Sequence, residues 1–357
     1  MLIYYNFDND ICISFSNDMF AEPDMKIKVL PDVVIVTAGD VVQEFERGMY
    51  ISAVQEGDKI VIDFDASTPE VDGIEMGVIP GAESIVIEEG GEPVAEVTPD
   101  GTKDKEDMAD EEAAKEGKKC KVGEEYFDTL KEAFASAQPN VPLTIKMIAD
   151  EDGAGIGLFT ADGDENKDIT VDFDGHKYVA TSPAVGSKGT QTQALHLEMN
   201  NKVTLKNGEF TSDRAAADIK MLIQNYCDLT LDHMVCDCAD DASITYVCSN
   251  NFGDCLIKDS EIHAHPSRVA VDCWFGLGKT YDEKGVKVTI NNSKIDSAIE
   301  YGAQRAALNR AGNENWFERT ILTINNSEFG KITNSGAGSN DEHTIIVDGV
   351  ERGFDEA

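Results

Sequence analysis

The sequence predicts an all-β fold in which residues 123–357 form a solenoid of stacked parallel strands, a β-helix. An eight-residue pattern occurs six times, successive copies begin 26 to 34 residues apart, and each copy opens with alternating apolar and polar residues. The copies are Val171–Tyr178, Val203–Phe210, Leu229–Cys236, Cys255–Ile262, Val288–Ile295 and Leu322–Phe329. Periods of this length are typical of solenoids, and the unequal spacing indicates loops inserted between equivalent coils.

Each position of the pattern has a structural meaning. The first and third positions are apolar in every copy, which predicts a strand with one buried face, and the eighth position is apolar too. The fifth position holds residues that tolerate a left-handed backbone, namely Gly175, Asn207, His233, Asp259, Asn292 and Asn326. We therefore expect the chain to turn a corner at the fifth position and to start the next face of the coil at the eighth.

A short helix is predicted before the first coil. Thr129 and Glu132 have the spacing of a capping box at the start of LKEAFASA, and a strand follows from Leu143. This opening, with the segment Lys167–Tyr178, resembles the start of right-handed β-helix domains of the pectate-lyase-like superfamily, which begin with a helix, a strand and a segment of the type ITIDLNGH. The resemblance covers about residues 126–350 and implies a right-handed parallel β-helix, without implying an activity.

The rest of the chain is predicted to form two further parts. Residues 1–87 contain short apolar runs such as Val33–Val36 and Ile60–Phe64, which predict a small β-rich N-terminal attachment domain. Residues 88–122 are acidic and poor in apolar side chains, which predicts a solvated linker with a short helix at Asp107–Glu116. The alternative is one ordered acidic helix packed on the solenoid.

Charge and cysteine content limit the classes of partner. The chain has 30 Lys and Arg against 68 Asp and Glu, a net charge of -38, which disfavours binding to nucleic acids and anionic membranes. We find no signal-peptide pattern and no apolar run of membrane-spanning length. Most of the eight cysteines lie in apolar patterns, which favours reduced thiols and synthesis in a cytoplasm.

The acidic segment Asp162–Asp168 is a weak candidate for a calcium loop. Asp162, Asp164, Asn166 and Asp168 place oxygen ligands at alternate positions, as calcium loops do. However, Lys167 replaces the glycine of the sharp turn, so a solvated loop is favoured and calcium is the only cofactor left open. Zinc is disfavoured because no two cysteines have the Cys-x-x-Cys spacing.

An acidic pair is the candidate for catalysis. Asp240 and Asp241 lie in a predicted loop between coils, where two carboxylates could act in glycan cleavage. The Asn-x-Asp, Gly-His-Gly and Arg-x-Lys elements of polygalacturonases are absent, and so is a lyase-type arginine cluster. The sequence therefore favours a protein that is not an enzyme.

Two aromatic pairs lie in the longest insertions between coils. Trp274 with Phe275, and Trp316 with Phe317, either pack the insertions onto the solenoid or form a surface for a neighbouring protein or a sugar ring. We single them out as candidate contacts for a partner or glycan.

Together these features favour a non-enzymatic bacteriophage virion protein, such as a head fibre, capsid decoration or tail-appendage component. In this hypothesis the N-terminal domain binds capsid or tail proteins and the β-helix is displayed outward, where it can contact host surface glycans. A homo-oligomer is expected, with a trimer as one form. A phage polysaccharide lyase or hydrolase is the second hypothesis, and a bacterial surface adhesin is the third.

Overall fold

The chain folds mostly into β-strands. The computed structural model describes residues 25–29, 33–38, 41–46, 52–56, 59–64, 74–76, 84–89, 92–98, 101–159, 166–187, 189–276, 285–309, 313, 315–336 and 342–355. These residues belong to two compact units, Met1–Ala113 and Ala114–Ala357.

The first unit contains two sheets. Its strands are β1 Met25–Val29, β2 Val33–Ala38, β3 Val41–Glu46, β4 Ser52–Glu56, β5 Lys59–Phe64, β6 Ile74–Met76, β7 Ser84–Glu89, β8 Glu92–Thr98 and β9 Gly101–Asp104. One sheet has the antiparallel order β3-β2-β1-β6, and the other has the order β4-β5-β7-β8-β9. In the second sheet only the pairing of β5 with β7 is parallel among the described residues. The short strands predicted for this part of the chain are thus present among its described residues, whereas residues 1–24 lie outside them.

Residues 88–122 are more ordered than the predicted linker. Strands β8 and β9 extend the second sheet, and helix α1, Lys105–Lys115, follows directly. Ala95 and Val97 are buried although charged residues surround them in the sequence. The acidic composition concealed a strand pattern because these few apolar side chains are enough to cover one face of β8. The predicted short helix at Asp107–Glu116 corresponds to α1.

The described residues of the second unit form the remaining strands and three short helices. The strands that precede the repeats are β10 Cys120–Val122, β11 Glu125–Phe127, β12 Pro142–Met147, β13 Glu151–Ala154 and β14 Ile156–Leu158. They are followed by β15 Asp168–Asp172, β16 Lys177–Thr181, β17 Gln193–Leu197, β18 Lys202–Ser212, β19 Met221–Asn225, β20 Asp228–Cys238, β21 Tyr246–Asn250, β22 Gly253–Lys258, β23 Glu261–Ala264, β24 Val269–Phe275, β25 Val286–Asn291, β26 Lys294–Ala303, β27 Thr320–Asn325, β28 Glu328–Gly336, β29 Ile345–Val347 and β30 Val350–Glu351. The helices are α2 Leu130–Ala135, α3 Arg305–Leu308 and the 3-10 helix Trp316–Glu318.

Three sets of parallel pairings, called ladders here, run through this unit. The first ladder joins β12, β15, the first halves of β18 and β20, then β22, β25, β27 and β29. The second joins β13, β16, the second halves of β18 and β20, β23, and the first parts of β26 and β28. The third joins β14, β17, β19, β21, β24, and the second parts of β26 and β28.

The eight-residue pattern accounts for the first two ladders. Equivalent residues of successive copies pair in register, for example Leu205 with Leu231 and Phe210 with Cys236. The residues at the first and third positions are buried in all six copies, and so is the eighth in all but Phe329, which is half-buried. The predicted apolar positions therefore form the core of the unit.

The corner between the first and second ladders has the predicted backbone. The fifth-position residues all have positive φ: 83° at Gly175, 60° at Asn207, 53° at His233, 50° at Asp259, 49° at Asn292 and 44° at Asn326. Side-chain amides connect successive corners, since Asn326 Nδ2 lies 2.9 Å from Asn292 Oδ1 and Asn292 Nδ2 lies 3.2 Å from Asp259 Oδ1. The corners are thus stabilised by their neighbours.

The capping helix is confirmed as well. The Thr129 side chain accepts a hydrogen bond of 3.1 Å from the backbone N–H of Glu132, and α2 begins at the next residue after Thr129. Leu130, Ala133 and Phe134 of this helix are buried in the same core as the ladder residues.

We expect Asn292→Val to lower the free energy of unfolding more than Asn292→Gly. Both changes remove the corner amide contacts, but only valine opposes a left-handed backbone, which costs about 1–2 kcal/mol. Urea unfolding followed by circular dichroism measures the difference. Equal losses for the two variants would show that the backbone conformation of this corner contributes nothing.

Candidate functional site

Polar residues occupy equivalent positions on successive strands of the third ladder. His196, Gln224, Ser249, Asp272 and Glu300 pair in register across β17, β19, β21, β24 and β26, and we call them the polar column. Because side chains alternate along a strand, they lie on the side of the sheet opposite to their core-facing neighbours. Glu300 is half-buried, and the other four are buried.

Asp272 is the residue of the polar column whose pKa is shifted most. It is only 4% exposed, and its two carboxyl oxygens accept hydrogen bonds from Ser249 Oγ, at 3.0 Å, and from the backbone N–H of Asn250, at 2.5 Å. Loss of solvent raises the pKa of Asp272 to about 8, with a further increase from Glu300, although the two hydrogen bonds act in the opposite direction. Asp272 is therefore mostly protonated at neutral pH.

Glu300 lies on the strand next to Asp272 and has a phenol beside it. The Tyr246 hydroxyl lies 3.3 Å from Glu300 Oε2, although the two residues are 54 positions apart in the sequence. Burial raises the pKa of Tyr246, and the neighbouring Glu300 carboxyl adds to this effect. Tyr246 thus remains a neutral hydrogen-bond donor to the carboxylate.

His196 ends the polar column at its N-terminal side. The imidazole stacks on Phe159 with ring centroids 5.2 Å apart and contacts Tyr226 at 5.8 Å. Burial lowers the pKa of His196 more than Glu198, 3.4 Å away, can raise it, so the ring is neutral near pH 7. Its Nδ1 atom has no hydrogen-bond partner among the described residues.

A neutral carboxyl beside a second carboxyl is the combination that general acid and base chemistry requires. Access argues against such a role for Asp272, because its carboxyl is buried and both oxygens already bind protein donors. Asp272 and Glu300 are far apart in the sequence and form no motif there. The available signal was a single aspartate inside the apolar run Val269–Phe275, a pattern that places a carboxyl within a buried strand.

The structure gives the predicted catalytic pair a role in loop structure. The Asp241 carboxylate accepts hydrogen bonds from the backbone N–H and the hydroxyl of Ser243, at 2.8 and 2.6 Å, which closes a local turn. Asp240 is exposed, and its backbone carbonyl accepts a hydrogen bond from Arg214. Neither contact brings the two carboxylates together over a common reaction centre.

The candidate aromatic contacts divide into two groups. Phe275 and Trp316 are buried with ring centroids 6.2 Å apart, and Trp316 also packs on Tyr301 at 5.6 Å. Both side chains are therefore part of the core, which agrees with the packing alternative for these two residues and leaves little of either side chain accessible to a partner. Trp274 and Phe317 are half-buried, and their contact with a partner stays a prediction.

Only half of the candidate calcium segment can be placed. Asp162 and Asp164 lie outside the described residues. Asn166 and Asp168 line a cleft of about 300 Å³ beside the first residues of strands β15, β18 and β20. Asp168 already has a cationic neighbour, because Lys202 Nζ lies 3.2 Å from its carboxylate. This ion pair competes with a metal ion for the one described carboxylate of the segment.

Another group of side chains could hold a metal ion. Asp232, His233 and Asp259 each offer a ligand atom, and these atoms lie within 4.8 Å of one another. Asp232 is engaged by His233 Nδ1 at 2.7 Å and by Lys258 Nζ at 2.8 Å, which lowers its pKa against the effect of burial. The seven cysteines among the described residues are free and buried, as expected of side chains that fill the core.

Comparisons of the chain with protein-family models, with curated proteins and with solved structures gave no match. Within the described part of the chain, no helix is long and apolar enough to cross a membrane.

We expect the stability of the protein to fall as pH rises from about 4 to about 8. In this range folded Asp272 keeps a proton that the unfolded chain, with an aspartate pKa of about 3.9, releases, so unfolding becomes easier by up to about 1.4 kcal/mol per pH unit. In Asp272→Asn this contribution to the slope should disappear. Unfolding midpoints measured across this pH range test the expectation.

The matched control is Asp254→Asn, which removes an exposed carboxylate from the first ladder and should keep the pH dependence. If Asp272→Asn and the unchanged protein lose stability with the same slope, Asp272 is not protonated in the folded state.

Proposed function

We propose that the three ladders are the three faces of a right-handed parallel β-helix. Supporting this are the parallel register between equivalent residues of successive copies, the left-handed corner at each fifth position, and a continuous core from Ile145 to Ile345. The handedness follows from the resemblance to pectate-lyase-like domains and agrees with the strong preference of parallel crossovers.

On this fold we propose a non-enzymatic structural protein of a bacteriophage virion, as a head fibre, capsid decoration or tail appendage. The observation that carries the proposal is that the carboxyl groups considered for catalysis have structural roles. Asp241 closes a turn, and Asp272 is buried. The repeated coils supply a stable surface for display, since each coil is held by its neighbours. Buried free thiols suit assembly in a reducing cytoplasm.

In this proposal residues 1–87 attach the protein to a capsid or tail protein, and the β-helix contacts the host surface or its glycans. Trp274 and Phe317 are the aromatic residues left for such a contact, because both keep part of their side chains accessible. Flat aromatic side chains bind sugar rings through their apolar faces.

The second candidate function is a polysaccharide hydrolase, and a specific observation favours it over a bacterial surface adhesin. Asp272, with its pKa raised to about 8, could donate a proton, and Glu300 supplies a second carboxyl on the neighbouring strand. This role requires a movement that opens the polar column to substrate. In a hydrolase, Asp272 and Glu300 replace Asp240 and Asp241 as the acids to test.

We expect cryo-electron microscopy of particles that carry this chain to show residues 1–87 ordered against a capsid or tail protein. The same preparation should cleave no capsular polysaccharide, because Asp272 is closed to solvent. A chain absent from particles would contradict the virion role. Polysaccharide cleavage that Asp272→Asn abolishes, with Asp254→Asn retaining it, would instead establish the hydrolase.

A further inference from the structure

The outward side of the first ladder is a regular face of three columns. Threonines form the middle column on six of seven successive strands, at positions 144, 170, 204, 230, 289 and 323, with Leu256 on the remaining strand. These residues alternate with the buried apolar residues of the same strands, and each is half-buried or exposed. We call this surface the threonine face.

Charged residues of both signs flank the threonines. One flanking column reads Lys146, Asp172, Lys206, Asp232 and Lys258, so that its charges alternate in sign from strand to strand. The other flanking column contains Asp168, Lys202, Asp228, Asp254 and Lys287. Neighbouring strands are joined by ion pairs, including Lys206 with Asp172 at 2.7 Å and Lys258 with Asp232 at 2.8 Å.

The threonine face is electrically balanced in a chain that is otherwise strongly acidic. Its flanking columns hold five lysines and five aspartates, whereas the whole chain has a net charge of -38. The outward side of the second ladder lacks this balance, with two lysines, Lys177 and Lys294, against six acidic residues. Those six are Asp152, Glu209, Asp237, Glu261, Asp296 and Glu328.

This contrast points to one partner. A second copy of the same chain is repelled by the acidic surfaces, because like charges disfavour approach. On the threonine face it meets equal numbers of both signs, which alternate along one of the two flanking columns, and two copies can match these charges against each other. We propose that the threonine face is a contact surface for a second copy of this chain. The proposal does not depend on the virion function.

The size of the face predicts the strength of the contact. Seven strands about 4.8 Å apart and five residues at about 3.3 Å each give about 500 Å² on each copy. Stable interfaces bury about 1,200–2,000 Å² in total, so a buried area of about 1,000 Å² makes a weak and reversible association. The association is detectable at high protein concentration and decreases as salt screens the matched charges.

Sedimentation velocity of the full chain over micromolar to millimolar concentrations tests the proposal. The weight-average mass should rise toward that of two copies, and Thr204→Arg, which places a bulky cation in the middle column, should hold it at one copy. The control is Val235→Arg, an equal charge change at a half-buried position on the outward side of the second ladder, which should associate like the unchanged protein.

A second variant tests the order of the charges without placing a larger side chain in the threonine column. Exchanging the pair as Asp172→Lys with Lys206→Asp keeps their ion pair but places like charges next to each other along the column, and it should weaken association. Circular dichroism checks that each variant is folded. A wild-type chain that stays at one copy, or a folded Thr204→Arg variant that associates normally, overturns the proposal. So does an equal loss in Val235→Arg.

Discussion

The second unit depends on the parallel pairing of identical pattern positions from one strand to the next. In such a pairing every strand contributes the same buried positions at the same height, so apolar side chains stack on apolar side chains along each ladder. A slip of one residue would move Val203 and Leu205 to the solvent side and bring Thr204 into the core. The left-handed corners fix the register, because they set where one ladder ends and the next begins.

The sequence predicted the elements whose residues recur at fixed distances. Strands of the first two ladders lie within the eight-residue pattern, so their buried positions and the corner between them could be assigned from residues 171–329 alone. The strands of the third ladder lie between copies of the pattern, where the spacing varies. The residue types that pair with each other there differ from strand to strand. Cys248, Val271 and Ile299 are equivalent in the structure, yet nothing in the sequence aligns them.

The candidate site was less predictable for the same reason. The pKa of Asp272 is raised by burial and by Glu300 on the next strand, against the hydrogen bond from Ser249 on the strand before, and only the third ladder brings these residues together. Asp240 and Asp241 were prominent because two acids are adjacent in the sequence, although adjacency gives no information about solvent access. Trp316 shows the converse: a large aromatic residue in an insertion can be one of the most buried residues of the fold.

The two ends of the first ladder differ from its middle. Strand β10 pairs antiparallel with β12 at one end, and the hairpin of β29 with β30 finishes the other. A parallel ladder that ended without such strands would present unpaired N–H and C=O groups, which are templates for adding further chains edge to edge. The outermost strands here are only three residues (Glu125–Phe127) and two residues (Val350–Glu351) long and carry exposed glutamates, so they offer few backbone groups to a further chain and disfavour end-to-end polymerisation into fibres.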